Sequence, residues 1–280
     1  MSLQKQKMLR SLGRGFSALM KIVVLVIIIY PFAWMILTSF KTYQETLIYP
    51  PTFIPKEWTL DGYVKALDTI DVFHYFKNSL FVSASVLLLQ FLIVIPAAYA
   101  FARCRFPLKS LFFGIVLLGF MIPQQVVFIP IYMLFSKMGL IQSFVPQILP
   151  FVANAFGIFL LRQYFMQIPE EIIEAARLDH AQEWKIILHV MIPMAKTAIF
   201  AIGLIIFIGN WNSYFWPLIM TTKDAFRTLP VGVARLNDTE NFKMWNMIMA
   251  GNVFLAGPIL IVYAIANKQI RKAFVYSGIK

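Results

Sequence analysis

The chain has 280 residues, 60% of them hydrophobic and only 14% charged, with a mean hydropathy of +0.73; this is the composition of a membrane protein, since a water-soluble domain would leave too much apolar surface exposed. A net charge of +12 would suit a nucleic-acid binder, but the basic residues lie at the edges of apolar runs and form no single stripe, which argues against nucleic acid as a partner. Cys104 stands alone, so neither an internal disulfide nor a cysteine-based metal site is available and packing has to hold the fold.

Residues 1 to 21 carry Lys5, Lys7, Arg10, Arg14 and Lys21 and no acid. Ile22 to Phe40 is then an uncharged run long enough to cross a bilayer, which takes about twenty residues. It exceeds a signal-peptide core and no small-residue cleavage site follows, so an uncleaved first span is predicted. Residues 41 to 77 form a polar excursion whose Tyr49-Pro50-Pro51 corner prevents regular helix. Leu80 to Ala102 is the second predicted span, with Pro96 expected to kink it and small residues from Ala97 onward letting helices approach closely. Arg103, Arg105 and Lys109 make a short basic loop. Ser110 to Ser136 is longer than one crossing and contains Pro123 and Pro130, which predicts a broken or re-entrant segment lined by protein or water. The fourth span runs from Gly139 to Leu161, the fifth over Ala198 to Met220 and the sixth over Met244 to Asn267. The expectation is an all-α, polytopic membrane protein with six transmembrane helices.

Between the fourth and fifth spans lies a charged island, Pro169 to Pro193, holding five of the thirteen acidic residues. Pro169 with Glu170 and Glu171 predicts a helix start, because proline at the first helical position loses no needed N–H and carboxylates favour the positive helix end. Asp179, three residues before Gln182, predicts the N-cap of a second short helix. Trp184, Ile187, Leu188 and Met191 would form its apolar face, with Lys185 and His189 opposite. Two short helices with a bend between them make a knuckle.

With the N-terminus placed inside, 16 Lys and Arg residues fall on the inner side and 9 on the outer, which puts both termini and the knuckle in the cytoplasm. The spans hold no Asp, Glu, Lys or Arg near their centres, which disfavours an ion-coupled secondary transporter. No GxxxxGK[ST], HExxH or GxSxG occurs, and His74, His180 and His189 are scattered, so no enzyme or metal site is expected. Asn210, Trp211, Asn212, Ser213 and Tyr214 bring amides and aromatic faces together, a chemistry that suits sugar hydroxyls and ring stacking but also an aromatic belt at the membrane interface. Asn154 is open to the same two readings, solute contact or a bond to another helix.

Glu174-Ala175-Ala176, Asp179, Ala181, the apolar Val190 and Pro193 resemble the cytoplasmic EAA loop of permease subunits of ATP-driven (ABC) solute importers. His180 departs from the family, which usually has glycine there; histidine reaches the left-handed region more readily than most residues, so the turn is expected to survive with some strain. Thr197 replaces a common second proline. Ser39-Phe40-Lys41, Tyr49-Pro50-Pro51 with Pro55, Arg105-Phe106-Pro107, Phe165 to Pro169, Trp211-Asn212, Trp216-Pro217-Leu218 and Leu229-Pro230-Val231-Gly232 extend the likeness to the carbohydrate, maltose-type branch. The resemblance implies a type I importer transmembrane domain in a bacterial cell membrane. It implies a cytoplasmic segment at 1–21, a permease domain at 22–268 with the EAA loop at 162–196, and a cytoplasmic tail at 269–280. It also implies partners: a second permease subunit forming a heterodimer, two ATPase subunits that bind the ATP and magnesium, and an external solute-binding protein facing residues 221 to 243. Glu174, Ala175, Ala176, Asp179, His180, Ala181 and Pro193 would couple to the ATPase, and Asn154, Asn210, Trp211, Asn212 and Tyr214 would touch the solute. That solute is expected to be a carbohydrate, with glycerol phosphate or a polyol as the alternative.

Overall fold

A computed structural model describes the backbone of residues 3–237 and 243–276 and the side chains of 15–237 and 243–266. The predicted tail end 277–280, the middle of the external stretch at 238–242 and the side chains of Lys5, Lys7, Arg10 and Arg14 lie outside the described residues. Among the described residues every regular element is helical. Four helices are long and apolar enough to cross a membrane: Gly15–Ser39, Val72–Arg103, Val145–Gln167 and Trp245–Ala266. Two further helix pairs are sharply bent, by 95° and 83°, and bring the number to the expected six if each pair is one span.

Contacts divide the chain into two units, Met1–Asp71 with Val233–Ala256 and Val72–Gly232 with Gly257–Lys280. In the first unit, helix α1 (Leu3–Ser39) runs unbroken through the boundary expected near residue 21. Its end is locked by the Ser39 hydroxyl, which bonds the Ile36 carbonyl at 2.6 Å and Tyr63 of α2 (Asp61–Thr69) at 2.8 Å. Gly62 lets α2 approach closely, since a Cβ there would stand 2.7 Å from the Asn246 carbonyl oxygen. Lys41 is buried, with its ammonium 4.6 Å from the Trp34 ring and donating to the Thr52 carbonyl. Glu45, only 5% exposed, accepts from Thr52 Oγ1 at 2.6 Å and from the Lys56 amide at 3.0 Å. Burial pushes the Glu45 carboxyl up, but the Thr52 hydroxyl, the Lys56 and Glu57 amides and the Lys41 charge outweigh it, so it stays below its usual range.

In the second unit the central element is α3 (Val72–Arg103), 32 residues and about 48 Å long at 1.5 Å per residue. It begins eight residues before the predicted span and passes through Pro96 without ending. Helices α4 (Lys109–Met121) and α5 (Gln124–Lys137) form the first bent pair. Pro123 makes that break, as expected of a residue that cannot continue an α ladder, whereas Pro130 lies inside α5. The fourth span is itself interrupted: α6 (Ala155–Gln167) starts afresh at Asn154, whose side chain accepts from the Gly157 amide at 2.8 Å. After α7 (Glu170–Leu178), the second bent pair is α8 (Glu183–Met194) with α9 (Lys196–Trp211), and α10 (Phe215–Met220) follows. The predicted fifth span is thus split at Asn212 to Tyr214. Ala98, Phe165, Ile186 and Met191, all fully buried, lie at the heart of one apolar core shared by α3, α6, α8 and α9.

At the end of α3 away from the knuckle, Tyr75 donates to Asp224 at 2.9 Å and Asn78 donates to the carbonyls of Ala225 and Arg227 at 3.0 and 2.8 Å. The Leu229 amide, opening α11 (Leu229–Arg235), donates to Ser79 Oγ at 2.7 Å. Gly232 is required there: an added Cβ would come within 2.2 Å of Tyr75 Cδ2, and Tyr75 is held at its hydroxyl as well.

Gly232→Ala is expected to lower stability by about 1–3 kcal/mol through overpacking, read as a lower thermal midpoint of the detergent-purified protein. A second expectation concerns acid. Folding depresses the Glu45 carboxyl, so its stabilisation is complete above the unfolded value of 4.5 and is lost as pH falls through the lower folded value. The midpoint should hold into mild acid and drop below about pH 4, and Glu45→Gln should abolish that drop while lowering the midpoint at neutral pH.

Candidate functional site

The knuckle is built from α7, a turn and α8. Ile173, 1% exposed, and Ala176 one turn later face the core, so α7 turns Glu174, Ala175 and Leu178 outward. Leu178 is 80% exposed, and Glu174 makes no ion pair among the described residues. Pro169 precedes the helix in an extended conformation (ψ 137°), one position earlier than the sequence suggested, and Glu170 and Glu171 fill the first turn.

The turn corrects another expectation. Asp179 is not the N-cap of the second helix: it closes α7, and Gln182 with ψ 150° opens α8 without a side-chain bond. The physical reason is a Schellman motif at the end of α7. The Ala181 amide bonds the Ala176 carbonyl and the His180 amide bonds the Arg177 carbonyl, each at 3.0 Å. His180 stands between them at φ 54°, the left-handed position that glycine occupies most cheaply. Within α8, Ile187–Met191 widens into a π turn, in which the Ile192 amide reaches back to the Ile187 carbonyl. Pro193 follows at once, and in a regular helix its ring would press on the His189 carbonyl, a clash that a locally widened turn avoids. That turn also changes the predicted face. Ile186 and Met191, five residues apart, are buried together with Ile187, whereas Trp184 is 61% exposed and Leu188 also points outward.

A cavity of about 540 Å³ lies between α3, α5, α6, α9 and α10. Its polar lining is Gln90, Gln124, Gln125, Asn154, Asn210, Ser213 and Tyr214, its aromatic lining includes Phe128, Phe151 and Trp216, and no lining residue is charged. Gln90 donates to the Phe151 carbonyl at 2.6 Å, and Asn210 donates to the Ile206 carbonyl of its own helix at 2.9 Å. Of the residues singled out for solute contact, Asn154, Asn210 and Tyr214 come together on this wall. Trp211 does not line it: it is buried between Phe76 and Phe207, with ring centroids at 5.5 and 5.7 Å. Asn212 is exposed at the end of α9 and is absent from the lining. Gln124 and Gln125 lie in the segment expected to be broken or re-entrant, though neither was singled out for solute contact; Gln90 was missed, although an amide inside an apolar run was a legible signal.

Residues 93–276 match the family model described as the binding-protein-dependent transport system inner membrane component. The chain is 30% identical over 248 residues to the diacetylchitobiose uptake system permease protein NgcG of Streptomyces coelicolor, covering 88% of this chain and 82% of that protein. It is 28% identical to the sn-glycerol-3-phosphate transport system permease protein UgpE of Rhizobium meliloti, covering 95% and 97%. Among solved structures, a chain of a bacterial ABC transporter involved in the import of the acidic polysaccharide alginate superposes with a TM-score of 0.82 at 24% identity, covering 93% of this chain and 97% of that one.

His180→Gly is expected to stabilise the knuckle by about 1 kcal/mol, the left-handed strain removed less the extra chain entropy of glycine. Amide exchange at Ala181 should slow about fivefold, measured by hydrogen exchange on the purified protein.

Proposed function

Because the chain belongs to the family of binding-protein-dependent transport system inner membrane components, we propose that it is the permease subunit of an ATP-driven importer, forms half of the path for a carbohydrate, and is driven by a separate ATPase subunit gripping the α7–α8 knuckle. The family consists of membrane transport subunits and not of enzymes. In this reading a second permease completes the path, an external binding protein delivers the solute, and two ATPase subunits bind ATP and magnesium. The excess of Lys and Arg on one side supports a cytoplasmic position for the knuckle and both termini.

The observation that carries the coupling role is the outward face of the knuckle, where Glu174, Ala175 and Leu178 of α7 stand exposed together with Trp184 and Leu188 of α8. Magnitudes rank these residues. Burying a leucine side chain against a partner gains about 1.5–3 kcal/mol, whereas an exposed ion pair gains about 0.2–1 kcal/mol. Leu178 therefore supplies grip and Glu174 supplies register, the small Ala175 lets the partner surface come close, and Ala176 seats α7 on the core. Asp179, His180, Ala181 and Pro193 serve the role indirectly, by shaping the turn and the helix that follows it.

An uncharged wall of amides, hydroxyls and aromatic rings fits the hydroxyls and apolar ring faces of a neutral sugar. NgcG bears the name of a diacetylchitobiose permease, which favours the same solute class. UgpE is named for glycerol phosphate, but a phosphate ester would seek a cation and the cavity wall offers none.

Reconstitution with the ATPase, the companion permease and the binding protein tests the reading. Sugar uptake should require ATP. Leu178→Ala should weaken ATPase association about tenfold, and Glu174→Gln less than about threefold, measured by titrating ATPase onto the permease pair. A thermal-shift sugar panel on the binding protein identifies the solute. Uptake that proceeds without the ATPase, or an ATPase that binds the Leu178 variant normally, would sink the corresponding half of the reading.

A further inference from the structure

The knuckle is joined by the chain to α6 and α9, yet its polar contacts lead to a different helix. Tyr99 of α3, 2% exposed, donates its hydroxyl to Glu183 Oε2. The same carboxylate takes Arg177 Nε at 3.1 Å, with Arg177 Nη2 at 3.5 Å. Arg177 belongs to the last turn of α7 and Glu183 opens α8, so one carboxylate ties both arms of the knuckle to one tyrosine. One turn further along α3, on the same face, Arg103 donates Nη2 to the Phe165 carbonyl at 2.7 Å, which also takes the Ile168 amide at 3.3 Å, and to the Ile168 carbonyl just past the end of α6. Arg103 Nη1 also lies 3.7 Å from Glu170 Oε2 in the first turn of α7.

From this geometry we propose that Tyr99 and Arg103 are positioning residues that clamp the knuckle to α3, so that knuckle and helix move as one body during transport. The inference rests on the coupling role proposed above and adds the route by which the movement travels. Arg103 holds the entry to α7, Tyr99 holds its exit through Glu183, and the buried side chains of Ala98, Ile173, Ile186 and Met191 fill the space between α3 and the knuckle. Two polar fastenings one turn apart add directional resistance to sliding and rotation beyond that of the apolar packing. Nine residues before Tyr99, about 13 Å along the helix, Gln90 bonds the cavity wall at Phe151. The far end of α3 holds residues 224 to 229 through Tyr75, Asn78 and Ser79. A push on the knuckle thus arrives at the solute path through α3 directly, without passing along the bent segments that flank it in the chain.

The test uses the complete transporter in proteoliposomes and reads solute taken up per ATP hydrolysed. ATP-dependent uptake by the wild type comes first, and its failure would overturn the coupling reading itself. Given that uptake, Tyr99→Phe, which keeps the ring and removes only the hydroxyl, should lower uptake per ATP about tenfold, the worth of one hydrogen bond to a charged acceptor. Glu183→Gln keeps an acceptor for the hydroxyl and should lose less. Unchanged uptake per ATP in assembled Tyr99→Phe transporter would overturn the clamp and leave the coupling reading standing. A second measurement leaves the clamp intact: spin labels at Leu92 on α3 and Glu171 on α7, in a Cys104→Ser background that still takes up solute. Their separation should be the same with and without ATP, and a change beyond about 2 Å, the scale of an ordinary helix shift, would overturn the proposal.

Discussion

A backbone amide or carbonyl in apolar surroundings has no water to turn to, and an unsatisfied one costs several kcal/mol. This chain breaks its helices repeatedly, and the rest of the structure follows from how the freed groups are satisfied. At the start of α6 the Asn154 side chain takes the Gly157 amide. At its end Arg103 takes two carbonyls. Beyond α10, one Gln142 oxygen receives the amides of Thr222 and Lys223 at 2.7 and 2.9 Å, and Gln147 donates to the Phe226 carbonyl at 2.9 Å. Asn78 and Ser79 do the same for 225–229. Most of these side chains come from an element distant in sequence, so satisfying a break also pins two elements together.

The interruptions are therefore where polar side chains gather in an otherwise apolar molecule, and both candidate sites lie at such places. The cavity is bordered by the break before α5, the break at Asn154 and the break between α9 and α10. The knuckle is a break enlarged into a loop with its own short helices. Solute contact and mechanical coupling need the same thing, polar groups held in fixed directions next to lipid-facing helices. α3 is uninterrupted over its 32 residues and can serve as the reference against which the broken elements are placed.

The all-α class, the long apolar helices and the bend at Pro123 were legible because hydropathy and proline report directly on what a backbone can do in lipid. The knuckle was legible through its acids and its Glu174-Ala175-Ala176 pattern, and the left-handed His180 followed from a departure at one position. The apolar face of α8 was not legible. A 3.6-residue period assigns Trp184 and Leu188 to the inside, and nothing local announces that Pro193 widens the turn before it. Trp211 misled for a similar reason: its neighbours Asn210 and Tyr214 line the cavity, but a helix points adjacent residues in different directions, and Phe76, far off in the sequence, completes the pocket that buries it. The Tyr99 and Arg103 contacts depend on 62 to 84 residues of intervening chain folding back, which no window of sequence reveals.

The wide turn at Ile187–Met191 works as a phase shifter. An α-helix advances about 100° per residue, so a single residue absorbed into that turn offsets everything before it from everything after it by more than a quarter of a revolution. The aim of the exposed Trp184 relative to α9 is thus set by chain length as well as by side-chain chemistry. Shortening the turn by one residue would leave the exposed groups in the chain and swing them to a different bearing on α9, a geometric change that substitution alone does not offer.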